Sequence, residues 1–187
     1  MAKYEVAPTK TNLLRLKSEY ELAKEGYELL DQKRNILLLE LMGLVDTAER
    51  MEIELKNLLI EAYNALQEAV KTNGRIKLYF ISNSINISHN IHTSTRKVMG
   101  VTLPVLDVSF SDNPPYYSLV ETTFWVDEAV RLFKKVLELI SKLAQVRISL
   151  LRLANETKKT IRKVNALEKI AIPDYIETIK FLEDRFE

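Results

Sequence analysis

Apolar residues recur at alternating intervals of three and four along the first third of the chain, from Leu13, Leu16, Tyr20 and Ala23 through to Ala62, Ala65 and Ala69. Only Arg34 interrupts the series. A stripe that repeats every 3.5 residues for about eight heptads predicts an α-helix wound left-handedly on a partner helix. We assign residues 9–73 to this helix, after a tail of residues 1–8. Thr9 or Thr11, following Pro8, supplies a hydroxyl that can accept from an amide of the first turn. Gly74, in "TNG", tolerates the left-handed conformation that closes a helix.

A second helix is expected within residues 117–187, from about Leu119 to Phe186, on positions such as Val126, Phe133, Ile140, Leu143, Ala154 and Val164. Its stripe is wider and drifts. At 1.5 Å per residue each helix is roughly 90 to 100 Å long, too long to hide in a small globular domain. Each must bury its stripe on the other. Residues 74–116 then form a local insertion, which makes the two long helices antiparallel and brings the chain ends together. Within the insertion "RIKLYFIS" reads as a short helix, and "SINISHNIH" alternates Ile85, Ile87 and Ile91 with polar residues, the period of a strand. "TLPVLDVSF" supplies a second strand, Gly100 the bend between them, and "SDNPPYY" a stop at Pro114 and Pro115. The expected fold is therefore mainly α: an antiparallel left-handed two-helix coiled coil with a short helix and a β-hairpin inserted.

Composition supports this outline and removes most chemistry. Four glycines and five prolines leave few sharp turns in 187 residues, so long regular elements dominate. The 27 basic and 26 acidic residues give no global field for a polyanion, which argues against a nucleic-acid partner. Without cysteine there is neither a disulfide framework nor a thiolate metal site. No window approaches 18 consecutive apolar residues, so direct membrane insertion is not expected.

None of Gly26, Gly43, Gly74 and Gly100 sits in a phosphate-loop pattern, and there is no nucleophile elbow or paired-histidine zinc motif. His89 and His92 have opposite parity in the expected strand, which suits polar hairpin side chains better than a shared metal. Neither catalytic residues nor a cofactor or metal site is expected. Arg34 is the exception on the seam. An antiparallel pairing that closes near Lys71 and Leu119 puts it near Glu156, where an ion pair could fix the register; snorkelling to the seam's edge is the alternative.

Three segments, "PTKTNLLRLKSEYELAKEGYELLDQKRN", "VMGVTLP" and "TKKTIRKVNALEKIAIPDYIETIKF", together resemble the D subunit of the V-type and archaeal A-type rotary ATPases, and the likeness covers nearly the whole chain. The resemblance implies a non-catalytic rotor shaft, part of the central stalk, that transmits torque between a catalytic hexamer and a membrane ion-translocating ring. Its implied partners are the catalytic A and B subunits, the small F subunit of the central stalk, and the C/d funnel subunit above the proteolipid ring. Its place would be peripheral, on the cytoplasmic side of the membrane. A generic coiled-coil scaffold or adaptor explains the heptads but not the three segments together.

On that reading Lys158, Lys159, Arg162, Lys163 and Lys169, which lie on the helix face away from the stripe, form a basic collar with Lys10, Arg15 and Lys17 toward the hexamer bore. Pro173 either kinks the helix or divides it in two. The hairpin is a folded cap, or a contact for the F subunit or for the control of hydrolysis. Tyr79, Phe80, Tyr116 and Tyr117 are candidate anchors to the funnel subunit.

Overall fold

Every position of the 3,4 seam between Leu13 and Ala69 is buried or half-buried in one unbroken helix, α1, Lys10–Asn73. The computed structural model describes residues 6–85, 87–111, 114–118 and 122–185. Thr9 caps α1, accepting the Asn12 amide on its hydroxyl at 3.3 Å and the Leu13 amide on its carbonyl at 3.0 Å. Gly74 separates α1 from α2, Arg75–Ser84. Its φ of 78° is left-handed as expected, but its ψ of 153° is extended. The residue therefore does not continue the turn as a left-handed cap would; it redirects the chain in a region open essentially to glycine alone.

The hairpin follows as β1, Ser88–Val98, and β2, Val101–Ser111, antiparallel with Val98 opposite Val101 and Ser88 opposite Ser111. Met99 and Gly100 form the two-residue connection with φ of 46° and 83°, the positive pair of a type I′ turn, whose twist matches the strands it joins. The strand expected from "SINISHNIH" begins later. Ile85 caps α2 and packs on Ala69, Ile81 and Val126, so burial against the helices withdraws it from the sheet. The polar run "TSTRK" extends the strand in its place.

The second long helix, α3, is Phe124–Ala166. Its expected start at Leu119 lies outside the described residues. Thr123 fixes the observed start: its carbonyl accepts the Val126 amide at 3.0 Å, and its hydroxyl accepts from the Asn73 amide group at 2.6 Å. After α3 comes a wide π-turn, Leu167–Ala171, and then α4, Ile172–Glu183. Of the two alternatives for Pro173, the first turn of a second helix is the one observed, joined to α3 through the π-turn. Backbone dihedrals stay right-handed helical through Ala166, Ala171 and Ile172, and the Ile172 amide reaches back five residues to the Leu167 carbonyl. Pro173 thus lies in the first turn of α4, where its missing donor costs least.

Two compact units divide the chain: a terminal one, Met1–Leu41 with Leu153–Glu187, and a central one, Met42–Arg152. In the central unit Ala62 and Ala65 of α1 meet Ala129, Leu132 and Val136 of α3, while Ala48 meets Leu143 and Val146. Higher numbers on one helix meet lower numbers on the other, so the pairing is antiparallel. In the terminal unit Leu16, Leu37, Leu153, Val164 and Leu182 are buried, and the links Lys33 to Glu156 and Lys17 to Glu183 give the same direction.

The stripe expected for the second helix is out of phase in places. Ile140 and Ala154 are exposed, while Leu139 and Leu153 beside them are buried. The seam recruits Ser149, Thr157, Thr160 and Thr178, each of whose hydroxyls donates to the carbonyl four residues earlier at 2.7 to 3.0 Å. A hydroxyl satisfied inside its own helix can be buried without a partner across the seam. An apolar count therefore does not see it.

Leu153→Ala should lower the stability of the folded chain by about 3 kcal/mol, the usual penalty for emptying a fully buried leucine site. Ile140→Ala should change it by less than about 0.5 kcal/mol. Urea midpoints of the two variants check the phase of the seam; equal losses would contradict it.

Candidate partner interface

Three surfaces bear on how the molecule meets others. The first is the outer face of α2 in the central unit. Its inner residues Leu78 and Ile81 pack with Ala69 and Val126, which turns Ile76, Tyr79 and Phe80 outward at 77%, 65% and 65% exposure. Tyr79 and Phe80 touch edge to face, ring centroids 5.9 Å apart.

Tyr116 and Tyr117 differ from this pair. Each is half-buried against α3: the Lys134 ammonium donates to the Tyr116 hydroxyl at 2.9 Å and also lies 5.1 Å from its ring centroid, and the Tyr117 hydroxyl donates to Asp127 at 2.5 Å. Burial, then the bond to Asp127 and its charge, push the Tyr117 phenol well above its ordinary pKa. These two rings hold the chain after the hairpin onto α3, so the four aromatics do not form one face.

The second surface is cationic and belongs to the terminal unit. Lys158, Lys159, Arg162, Lys163 and Lys169 are all exposed, and none pairs with a carboxylate among the described residues. Lys10, Arg15 and Lys17 are exposed as well, but Arg15 pairs with Glu19 at 3.5 Å and Lys17 with Glu183 at 2.5 Å. About 20 Å of helix separates Lys169 from Glu183, so the two groups make separate bands rather than one collar. The expected Arg34 contact is also redistributed. Glu156 accepts from Lys33 at 3.2 Å, while Arg34 turns back along its own helix to Asp31 at 2.6 Å. The register link is one residue away from the one the seam suggested, because Lys33 at the seam's flank reaches across without leaving solvent.

The third surface is the hairpin. Arg152 of α3 donates to the Thr102 carbonyl at 2.8 Å, and the Leu106 amide donates to Gln145 at 2.9 Å. These bonds clamp β2 along α3, with Pro104 between them and Leu103 buried. His89 and His92 occupy positions of opposite parity in β1, opposite Phe110 and Asp107. Among the described residues no group of three or more acidic or histidine side chains is placed to hold a metal ion.

A family model for the D subunit of ATP synthase matches residues 12–187. The chain belongs to the ATP synthase D-subunit family. Among its relatives, the D subunit of the V-type ATP synthase of Thermotoga neapolitana is 36% identical, over 97% of this chain and 90% of that protein. The D subunits of the A-type ATP synthases of Pyrococcus furiosus and Thermococcus kodakarensis are 38% and 39% identical, over 97% of this chain and 86% of each relative. The likeness thus includes the hairpin as well as both long helices.

Sequence patterns did not reveal the groups that dock the hairpin and its following tyrosines: Gln145, Arg152, Asp127 and Lys134. Each is a single polar residue on a helix face, with no periodicity to mark it. Pro104 was the available signal, since proline inside a strand requires its amide to face away from the neighbouring strand.

Tyr117→Phe should cost about 1 kcal/mol at neutral pH, the worth of one hydrogen bond at a half-buried site. The folded phenol is harder to ionise than the unfolded one. Its stabilisation is therefore complete below the ordinary tyrosine pKa of about 10 and is lost as pH rises above it. Urea midpoints from about pH 8 to about pH 11 should show the advantage of the native chain over Tyr117→Phe shrinking; a constant gap would refute the assignment.

Proposed function

We propose that this chain is the non-catalytic central-stalk shaft of a V/A-type ATP synthase, carrying torque between the catalytic A and B subunits and the membrane ion-translocating ring. The observation that carries the reading is the band from Lys158 to Lys169, in which five of twelve side chains are exposed cations without a described ion-pair partner. In a member of this family, such a band on a seam-locked helix pair suits a turning surface that must attract its bearing without being bound by one deep pocket.

Paired helices locked by interdigitated side chains resist twisting better than one helix, because relative sliding must unpack the seam. A shaft with unlike faces makes the state of each surrounding catalytic interface depend on its angle. This couples sites through a free energy of contact and asks no chemistry of the shaft itself. The basic band faces acidic or carbonyl-rich loops of the hexamer bore. Exposed Tyr79 and Phe80 on α2 contribute to the contact with the funnel subunit, and the F subunit binds beside the helices. Among the described residues no helix is long and apolar enough to cross a membrane, consistent with attachment to the ring through other subunits.

Native mass spectrometry of the chain with purified catalytic hexamer and nucleotide should find one copy per hexamer. Replacing Lys158, Arg162 and Lys169 together by alanine should weaken that complex about tenfold or more at low salt and flatten its salt dependence. Several copies per hexamer would remove the shaft. Binding that is unchanged by the triple variant at every salt concentration would remove the basic bearing.

A further inference from the structure

The hairpin has one edge closed and one edge open. On β2 the groups that point away from β1 are those of Thr102 and Leu106, because α3 takes the Thr102 carbonyl and the Leu106 amide. Pro104 lies between them at the same parity, where a missing amide leaves no gap in the ladder. The register pairs these residues with Lys97, Thr95 and Thr93. Paired residues in an antiparallel ribbon turn their backbone groups the same way relative to it, inward or outward together. The amides and carbonyls of Ile91, Thr93, Thr95 and Lys97 therefore point outward from β1. None of these four makes a hydrogen bond to another described element, and β1 is exposed along the whole run from Ile91 to Lys97.

We propose that this edge receives an extended acidic segment of another protein of the complex as a third strand. The proposal rests on the reading of the chain as a component of the rotary complex. An open row of alternating donors and acceptors is a template for strand addition, with backbone bonds supplying affinity and side chains choosing the partner. The choice here is electrostatic. β1 carries the exposed Lys97 and no acidic residue. Arg152, bonded to Thr102 across the ribbon from Lys97, adds a further cation at the turn end. An incoming strand with carboxylates near Lys97 and polar or β-branched residues elsewhere is complementary; a basic strand is repelled. The edge is held ready because the clamp on α3 fixes β2, and β2 fixes β1.

Residue-resolved hydrogen exchange on the full chain, alone and in the assembled complex, tests this. In the free chain the outward amides of Ile91, Thr93, Thr95 and Lys97 should exchange at least about tenfold faster than the inward amides of Asn90, His92, Ser94 and Arg96. On assembly the outward set should slow by at least about tenfold. Lys97→Glu should reverse that slowing in the complex while leaving the inward set protected. Thr95→Pro, which removes an outward donor opposite Pro104, should do the same.

If the chain assembles at full occupancy and the outward amides remain fast, the strand addition is wrong and the shaft reading stands. Failure to assemble at all removes both. Concentration-dependent slowing in the free chain would assign the edge to a second copy and overturn the proposal, as would full protection in Lys97→Glu.

Discussion

A helix with a continuous apolar stripe cannot hide that stripe within itself, and here another stretch of the same chain covers it. In the central unit the solution depends on small residues. Ala48, Ala62, Ala65 and Ala69 line α1 where α2 and α3 approach, so the larger Leu132, Val136, Leu143 and Val146 fill the seam from the other side. Each such side chain, taken fully out of water, contributes about 1.5 to 3 kcal/mol. Enlarging one of the alanines would push the helices apart along a shared contact. Phe133 extends the seam sideways to meet Tyr63 edge to face at 5.6 Å. Because the inner faces are committed, whatever meets a partner lies on what remains, which includes the outer face of α2, the cationic face of α3, the open edge of β1, and exposed leucines of α1 such as Leu22 and Leu39.

The terminal unit solves the same problem with hydroxyls. Thr157, Thr160 and Thr178 are almost fully buried, and each satisfies its oxygen on the preceding turn of its own helix. A buried hydroxyl without a partner costs a few kcal/mol, so this internal bond is the condition for its presence. The π-turn serves the same seam. Half-buried Leu167 and Ala171 open and close it, between buried Val164 and Asp174, so the 3,4 spacing of the seam passes through the turn. It ends two residues before Pro173, so the skipped donor falls just after the helix has widened.

The elements with strong period were legible in sequence. The α1 seam could be walked from Leu13 to Ala69 because its positions are apolar in all but one case, and the turn at Gly100 was marked by glycine between two strand-like runs. The phase of the second helix was harder to read. Its seam passes through Ser149, Thr157 and Thr160, while Ile140 and Ala154 look like core and face solvent. The strand start was obscured by Ile85, whose apolar side chain suits the helical cluster as well as it would a sheet. The register pair failed by one residue because a heptad pattern identifies the seam's position, not which of two adjacent long cations reaches across it. Among the candidate contact residues, type could be read but not occupancy: Tyr79 and Tyr117 are alike in sequence, and only the placement of Asp127 distinguishes an available ring from an engaged one.

Net charge is a poor guide to such a molecule. Formal charge is only +1, yet interactions are screened beyond about 8 Å at physiological ionic strength, so acids elsewhere on a long helix do not neutralise a band of lysines. Local pairing decides. Lys17, Lys33, Arg131 and Arg147 each sit against a carboxylate of the same unit, whereas the cations from Lys158 to Lys169 do not. The acids of this stretch are correspondingly sparse, Glu168 alone among twelve residues. Lys97 on β1 repeats the pattern on a different scaffold, a cation on a strand that carries no acid. Cations left without a described carboxylate, those from Lys158 to Lys169 and Lys97, add little stability to the fold in isolation. On the proposed reading their value lies in association, where such cations speed encounter and select an acidic counterpart without adding to the fold.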